Sequence, residues 1–151
     1  MKKVLKLLLI VLVCIFLTGC GKKTTLECSS NSKQTNYEIN TNYTIKAKKD
    51  IVNEVKIKQV IKSKDKKILE NFEKQLKKQY QLNKKIYGGY TYELKIKGKE
   101  LIADVTINYE EINMKKFVKD NGAMKDYLNK DNQFTLEGAK KLYTSTGAKC
   151  E

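Results

Sequence analysis

Residues 63–109 read SKDKKILENFEKQLKKQYQLNKKIYGGYTYELKIKGKELIADVTINY, and the change of hydrophobic period inside this stretch decides the fold. Ile68, Leu69, Phe72, Leu76 and Tyr80 recur at three and four residues, the period of a helix with one apolar face. Ser63 stands where an N-cap would, with Asp65 in the first turn, so a helix is predicted over residues 64–85. Gly88-Gly89 then stops the helix and lets the chain reverse. Beyond the glycines Tyr90, Tyr92, Leu94 and Ile96 alternate with Thr91, Glu93, Lys95 and Lys97, which is the period of a half-buried strand. Lys97-Gly98-Lys99 supplies a turn, and Leu101, Ala103, Val105, Ile107 and Tyr109 return with the same period, completing a hairpin.

The flanking segments extend this pattern in both directions. Upstream, Tyr37, Ile39, Tyr43, Ile45 and Ala47 alternate with polar residues, and after the break Lys48-Lys49-Asp50 so do Ile51, Val55, Ile57 and Ile61. A second hairpin is predicted there. Downstream the signal is helical and weaker: Ile112, Met114, Phe117 and Val118, a break at Asn121-Gly122, then Met124, Tyr127 and Leu128. Asn129 to Gln133 is a polar connection, and Thr135 caps a short helix Leu136–Thr144 with Gly147 at its C′ position. The expected class is α+β: an antiparallel sheet of four or five strands in hairpins, packed against one long amphipathic helix, with shorter C-terminal helices.

The N-terminus has a different character. Lys2 and Lys3 precede an apolar run from Val4 to Phe16, broken by Lys6, and Leu17-Thr18-Gly19-Cys20 closes it. This is the layout of a secretory signal, and the run is shorter than the roughly 20 apolar residues that span a bilayer. The closing residues resemble the bacterial lipobox, L-x-G-C, which implies a diacylglycerol thioether on Cys20 and cleavage before it. The competing reading is a signal-anchor with an incidental cysteine. The expected organisation is a signal peptide at 1–19, a lipidated N-terminus and polar tether at 20–33, with Leu26 and Cys28 open as the start of a first strand, and one α+β domain at 34–151. The expected location is the outer face of the cell membrane.

Charge and cysteine usage bound the function. All 31 basic residues are lysine, and removing Lys2, Lys3 and Lys6 with the signal lowers the formal charge from +14 to +11. Anionic envelope polymers, lipid headgroups or an envelope protein are the expected partners, besides the membrane itself through the lipid on Cys20; export removes the chain from nucleic acid. Lysine richness without arginine also fits AT-rich codon usage and a merely solvated surface. Of four cysteines, Cys14 leaves with the signal and Cys20 carries lipid, so Cys28 and Cys150 remain. Outside the cytoplasm a disulfide between them is favoured over two free thiols. By the chain-entropy argument it would stabilise the fold by ~4–5 kcal/mol.

One family resemblance rests on these residues together. The lipobox, the Lys-rich helix, Gly89-Tyr90-Thr91-Tyr92-Glu93-Leu94-Lys95, Val105-Thr106-Ile107-Asn108-Tyr109-Glu110 with Met114-Lys115-Lys116, and the ending Phe134-Thr135-Leu136-Glu137-Gly138-Ala139-Lys140-Lys141-Leu142 to Gly147 resemble the YehR-type bacterial lipoproteins. The resemblance implies an α+β fold and no assigned activity, so it carries over no catalytic residues.

Little in the sequence supports catalysis. With no histidine, serine–histidine and cysteine–histidine nucleophiles and zinc–histidine sites are excluded, and no calcium-loop series of acids is present. Glu110-Glu111 near Asp104 reads as solvated loop charge, and Gly88-Gly89 as a turn, not a phosphate cradle. No enzyme, metal or cofactor is expected. A two-lobed solute-binding protein is disfavoured by length. Two binding surfaces remain: an aromatic groove for a sugar or peptide at Tyr87 and Tyr90, with Tyr87 the most exposed ring, and a lysine face at Lys74, Lys77 and Lys78. Against each stands a structural reading, core packing for the tyrosines and a solvated helix face for the lysines.

Overall fold

The computed structural model describes residues 22–151; the expected signal peptide at 1–19 and lipidation residue Cys20 lie outside the described residues. The elements run β1 Lys23–Lys33, β2 Glu38–Lys48, β3 Ile51–Lys62, α1 Lys66–Tyr87, β4 Tyr90–Lys97, β5 Glu100–Asn108, α2 Met114–Asp120, a 3-10 turn Gly122–Tyr127, α3 Leu136–Ser145 and β6 Lys149–Cys150. The six strands form one antiparallel sheet in the order β4-β5-β3-β2-β1-β6. Both predicted hairpins are present, β2–β3 and β4–β5, and β5 lies between β4 and β3. Among the described residues no helix is long and apolar enough to cross a membrane.

Two expectations about the sheet are corrected. The sheet has six strands instead of four or five, and residues 23–33, expected to be a tether, are a full strand paired with β2 from Lys23↔Lys48 to Lys33↔Glu38. The segment is polar because only Leu26 and Cys28 face the core, while the rest of its side chains meet solvent. Backbone ladder bonds, not side-chain burial, hold most of it. Residues 23–33 therefore belong to the folded domain.

Alternation assigns the two faces of the sheet. Ile45 pairs with Val55, Val55 with Ile107 and Ile61 with Leu101, so these residues share one face, and all are buried. Leu69 of α1 completes a cluster with Ile61 and Leu101, joined by Phe72, Leu76, Leu94 and Ile96. Ala139 and Tyr143 of α3 belong to the larger cluster with Leu26, Ile45 and Val55. The helices thus cover one face in a two-layer arrangement. Among the described residues the other face stays open and carries cross-strand ion pairs, Lys46–Glu54 at 2.7 Å and Lys62–Glu100 at 3.2 Å.

Local chemistry sets the helix ends. The N-cap of α1 is Asp65, not Ser63: its carboxylate accepts from the Lys67 N–H at 2.8 Å. Ser63 is buried instead, accepting from the Asp65 N–H at 3.1 Å and donating to the Asn36 carbonyl at 2.8 Å. Thr135 caps α3 as expected, its hydroxyl accepting from the Gly138 N–H at 3.0 Å. Gly138 has a further role that periodicity does not reveal. A Cβ at this position would fall 1.9 Å from the Tyr127 carbonyl oxygen, so only glycine lets α3 lie against the 3-10 turn.

The chain ends are clasped together. Cys28 and Cys150 are directly opposed between β1 and β6 and joined by a disulfide, with their Cα atoms 4.0 Å apart. Glu27 and Glu151 flank them with reciprocal backbone hydrogen bonds of 3.3 and 2.9 Å. The cysteines therefore occupy the narrow, non-hydrogen-bonded pair of the ladder. This two-residue strand sits beside β1 because α3 delivers it there, Ala148 donating its N–H to the Tyr143 carbonyl at 3.0 Å.

Candidate functional site

The tyrosines do not build a groove. Tyr90, first residue of β4, is buried in the main core cluster, and burial pushes its phenol up to about 12 with the neighbouring Tyr87 and Tyr80 acting the same way. Tyr87, expected to be the most exposed ring, is half-buried. It closes the end of α1 edge-on against Phe117, ring centroids 5.1 Å apart, and its hydroxyl lies 3.3 Å from Asp120 Oδ2. Tyr43 packs on Tyr143 and Tyr80 on Tyr92 with tilted rings, centroids 4.4 and 5.5 Å apart, joining helices to sheet. These rings are wide apolar spacers between the layers.

Lys74, Lys77 and Lys78 are exposed on α1. Lys74 and Lys77, with Glu73, border a shallow groove of about 440 Å³ above Tyr92 and Leu94 of β4. The groove is small, with three charged side chains around a floor of two, Tyr92 and Leu94.

A larger cleft lies elsewhere, at the end of the sheet where β2 turns into β3. Lys49 and Asp50 both take left-handed backbone there, φ 50° and 68°, making a two-residue turn that brings Lys48 and Ile51 face to face. The loop before α3 docks on this corner: the Val52 N–H donates to the Phe134 carbonyl and the Leu136 N–H to the Asp50 carbonyl, each at 2.9 Å. From the other side, the Tyr109 N–H donates to the Asn53 carbonyl at 2.9 Å and carries the chain from β5 toward α2.

Between these segments is a cleft of about 720 Å³, within the range of roughly 300–1,000 Å³ common for small-molecule sites. Its apolar lining comes from Ile51, Val52, Tyr109, Met114, Val118 and Phe134. The Tyr109 ring packs on Phe134 at 5.1 Å, and burial drives its phenol well above the usual range, so it stays neutral and protonated at physiological pH. The polar lining is Lys48, Lys115, Glu110 and Asp131, with Asn53, Asn132 and Gln133, and its formal charges balance.

The loop wall is braced by its own hydrogen bonds. Asn129 Oδ1 accepts from the N–H groups of Asp131 and Gln133 at 3.0 and 2.9 Å, and Asn129 Nδ2 donates to Gln133 Oε1 at 3.1 Å. Asn132 takes left-handed backbone, φ 57°, which asparagine tolerates better than most residues. The opposite wall is α2, capped by Asn113, whose side chain accepts from the Lys116 N–H at 3.1 Å. Such a cleft is pre-formed and suits binding an apolar group with a polar end. Among the described residues no group of three or more His, Cys, Asp or Glu side chains is placed to hold a metal.

Sequence reading missed this cleft because its floor comes from three distant places, Ile51-Val52, Met114 with Val118, and Phe134. The usable signal was Phe134, a large apolar residue following the polar run Asn129–Gln133. Such a residue needs an apolar partner close to the loop.

Neither a family model nor a curated protein matches the sequence. Among solved structures, the E. coli YehR protein determined by NMR superimposes with a TM-score of 0.55 at 16% identity, over 86% of this chain and 91% of that one. A protein from Streptococcus pneumoniae TIGR4, also determined by NMR, gives a TM-score of 0.49 at 14% identity, over 86% of both chains. At these identities the first likeness concerns backbone architecture alone, and it agrees with the expectation drawn from the residues: this chain has a YehR-like fold.

Proposed function

We propose that the chain is an exported lipoprotein, held at the outer face of the membrane by lipid on Cys20, whose α+β domain works by binding and not by catalysis. Its ligand site is the cleft between the β2–β3 turn, α2 and the 129–134 loop. The observation that carries this reading is the cleft's construction: an apolar floor of about 720 Å³ inside a hydrogen-bonded frame, with a polar rim to orient a ligand. The absence of histidine from the chain supports binding over acid–base chemistry. An aromatic groove at Tyr87 and Tyr90 is withdrawn, since both rings are used in packing.

The test has two arms. Metabolic labelling with a fatty-acid probe should mark the full chain and be lost in Cys20→Ser. In parallel, a thermal-shift screen against glycans, peptides, lipids and wall polyanions should find a compound whose stabilisation persists at physiological salt and disappears in Met114→Trp, which fills the cleft. Stabilisation that vanishes with salt, or that Met114→Trp leaves unchanged, overturns the cleft as the site.

A further inference from the structure

We infer that the cleft receives an acyl chain of an anionic membrane phospholipid, whose phosphate faces the lysines of the β2–β3 corner; this rests on the lipoprotein reading of Cys20. The first argument is position. Lys22, where the described chain begins, accepts a hydrogen bond through its carbonyl from the Lys49 N–H at 3.2 Å, and Lys23 pairs with Lys48. Lys48 and Ile51 of that same turn line the cleft. The chain therefore leaves the fold toward Cys20 at the cleft's own corner. Only Gly21 lies between Lys22 and Cys20, and the two chain steps span at most about 7 Å, so an anchored Cys20 holds this corner against the headgroup layer.

The second argument is charge. The cleft's own lining is balanced, Lys48 and Lys115 against Glu110 and Asp131, so the positive excess comes from Lys22, Lys23 and Lys49, exposed around the turn beside Lys48, with Asp50 the one acid in the turn. Like charges sit directly opposed at Lys23↔Lys48, a cross-strand pairing that is unfavourable unless an anion is near. The apolar floor of Ile51, Val52, Met114, Val118 and Phe134 lies behind them, so cationic and apolar surfaces follow one another as phosphate and acyl chain do in a phospholipid. The opposite end of the sheet lacks this order. Its depression, of about 600 Å³, is lined largely by polar and charged side chains, with Lys62 and Glu100 of its lining already paired at 3.2 Å.

The experiment uses the full chain, wild type and Cys20→Ser, with phosphatidylcholine vesicles containing a phosphatidylglycerol that carries a photoreactive group near the end of one acyl chain. Irradiation should label peptides containing Met114, Val118 or Phe134 in both proteins. Labelling there should be lost in Met114→Trp and fall when Lys22, Lys23, Lys48 and Lys49 become glutamine, four exposed substitutions that leave the core intact. The same photoreactive group on phosphatidylcholine should label the cleft weakly. Label confined to other peptides, equal label from the two lipids, or label unchanged in a folded Met114→Trp chain overturns the inference. Fatty-acid incorporation into wild type reports the anchor separately: its absence removes the lipoprotein reading, while cleft labelling of Cys20→Ser still decides whether phospholipid enters.

Discussion

The two edges of the sheet are secured by different means. At one edge β4 presents Tyr90, Tyr92, Leu94 and Ile96 to α1, and the layer between them is filled by apolar side chains. At the other edge β1 offers the core only Leu26 and Cys28 among eleven residues, and its outer neighbour β6 has two residues. Backbone ladder bonds to β2 hold β1, and the Cys28–Cys150 disulfide ties the two-residue β6 to it. A strand with enough apolar surface is secured by the helix that covers it, whereas a polar edge strand gains its security from ladder bonds and a covalent link.

The largest effect should come from opening the clasp. Cys28→Ser, or reduction of the wild type, should lower unfolding free energy by up to about 4–5 kcal/mol, because the bond closes a loop of 122 residues. Denaturant titration gives the size. Hydrogen exchange sharpens the contrast, with protection lost first in β1 and β6 and retained in α1, β4 and β5; uniform loss across the sheet would mean that the edges are not independent.

Next comes the apolar edge. Leu69 is fully buried between Ile61 and Leu101, so Leu69→Ala should cost about 2–5 kcal/mol and loosen α1 first, the reverse pattern. Combined with Cys28→Ser the two losses should add, since the sites lie in separate parts of the core. A double variant much more stable than the sum would couple the edges.

Gly138→Ala tests how α3 brings β6 to the clasped edge. The added methyl group meets the Tyr127 carbonyl, and the expected loss is about 1–3 kcal/mol by urea denaturation, despite alanine's better helix propensity. A stabilised variant would show that the helix can slide.

Alkaline pH probes both halves through their tyrosines. Burial raises Tyr90 to about 12 and raises Tyr143 as well, so the fold favours the neutral phenols. Their contribution is complete below the ordinary phenol pKa near 10; that of Tyr90 is lost as pH rises from there through about 12, and that of Tyr143, raised further, persists to higher pH. Melting temperature should fall across that window while tyrosinate absorbance rises in step with unfolding; early ionisation at pH 10 would place these rings in solvent. The smallest effect is expected from Lys74→Gln, Lys77→Gln and Lys78→Gln, each within about 0.5 kcal/mol of wild type by thermal melting, because exposed side chains on α1 hold no edge.

The contrast between the edges also explains what could be read in advance. The β4–β5 hairpin and α1 are local and strongly periodic, so Tyr90–Ile96 and Ile68–Tyr80 announced their elements with boundaries close to those observed. Strand β1 did not, because Ser29, Ser30, Asn31 and Ser32 resemble a tether until a partner strand supplies its backbone hydrogen bonds. The site misled for a related reason. Tyrosine is amphipathic, and the sequence does not say whether Tyr87 and Tyr90 face a ligand or a helix.

By itself the sequence determined the α+β class, both hairpins and the long helix, because period and turn residues are local properties of the chain; it favoured pairing of Cys28 with Cys150 only on the reading that Cys14 and Cys20 belong to a lipoprotein signal. Tertiary structure alone decided that β5 inserts beside β3, that a polar strand joins the sheet, that Gly138 must lack a side chain, and that Ile51, Met114 and Phe134 meet across one cleft. Each of these depends on contacts between residues far apart in the chain, where the favourable term is burial or a hydrogen bond that only the closed fold provides.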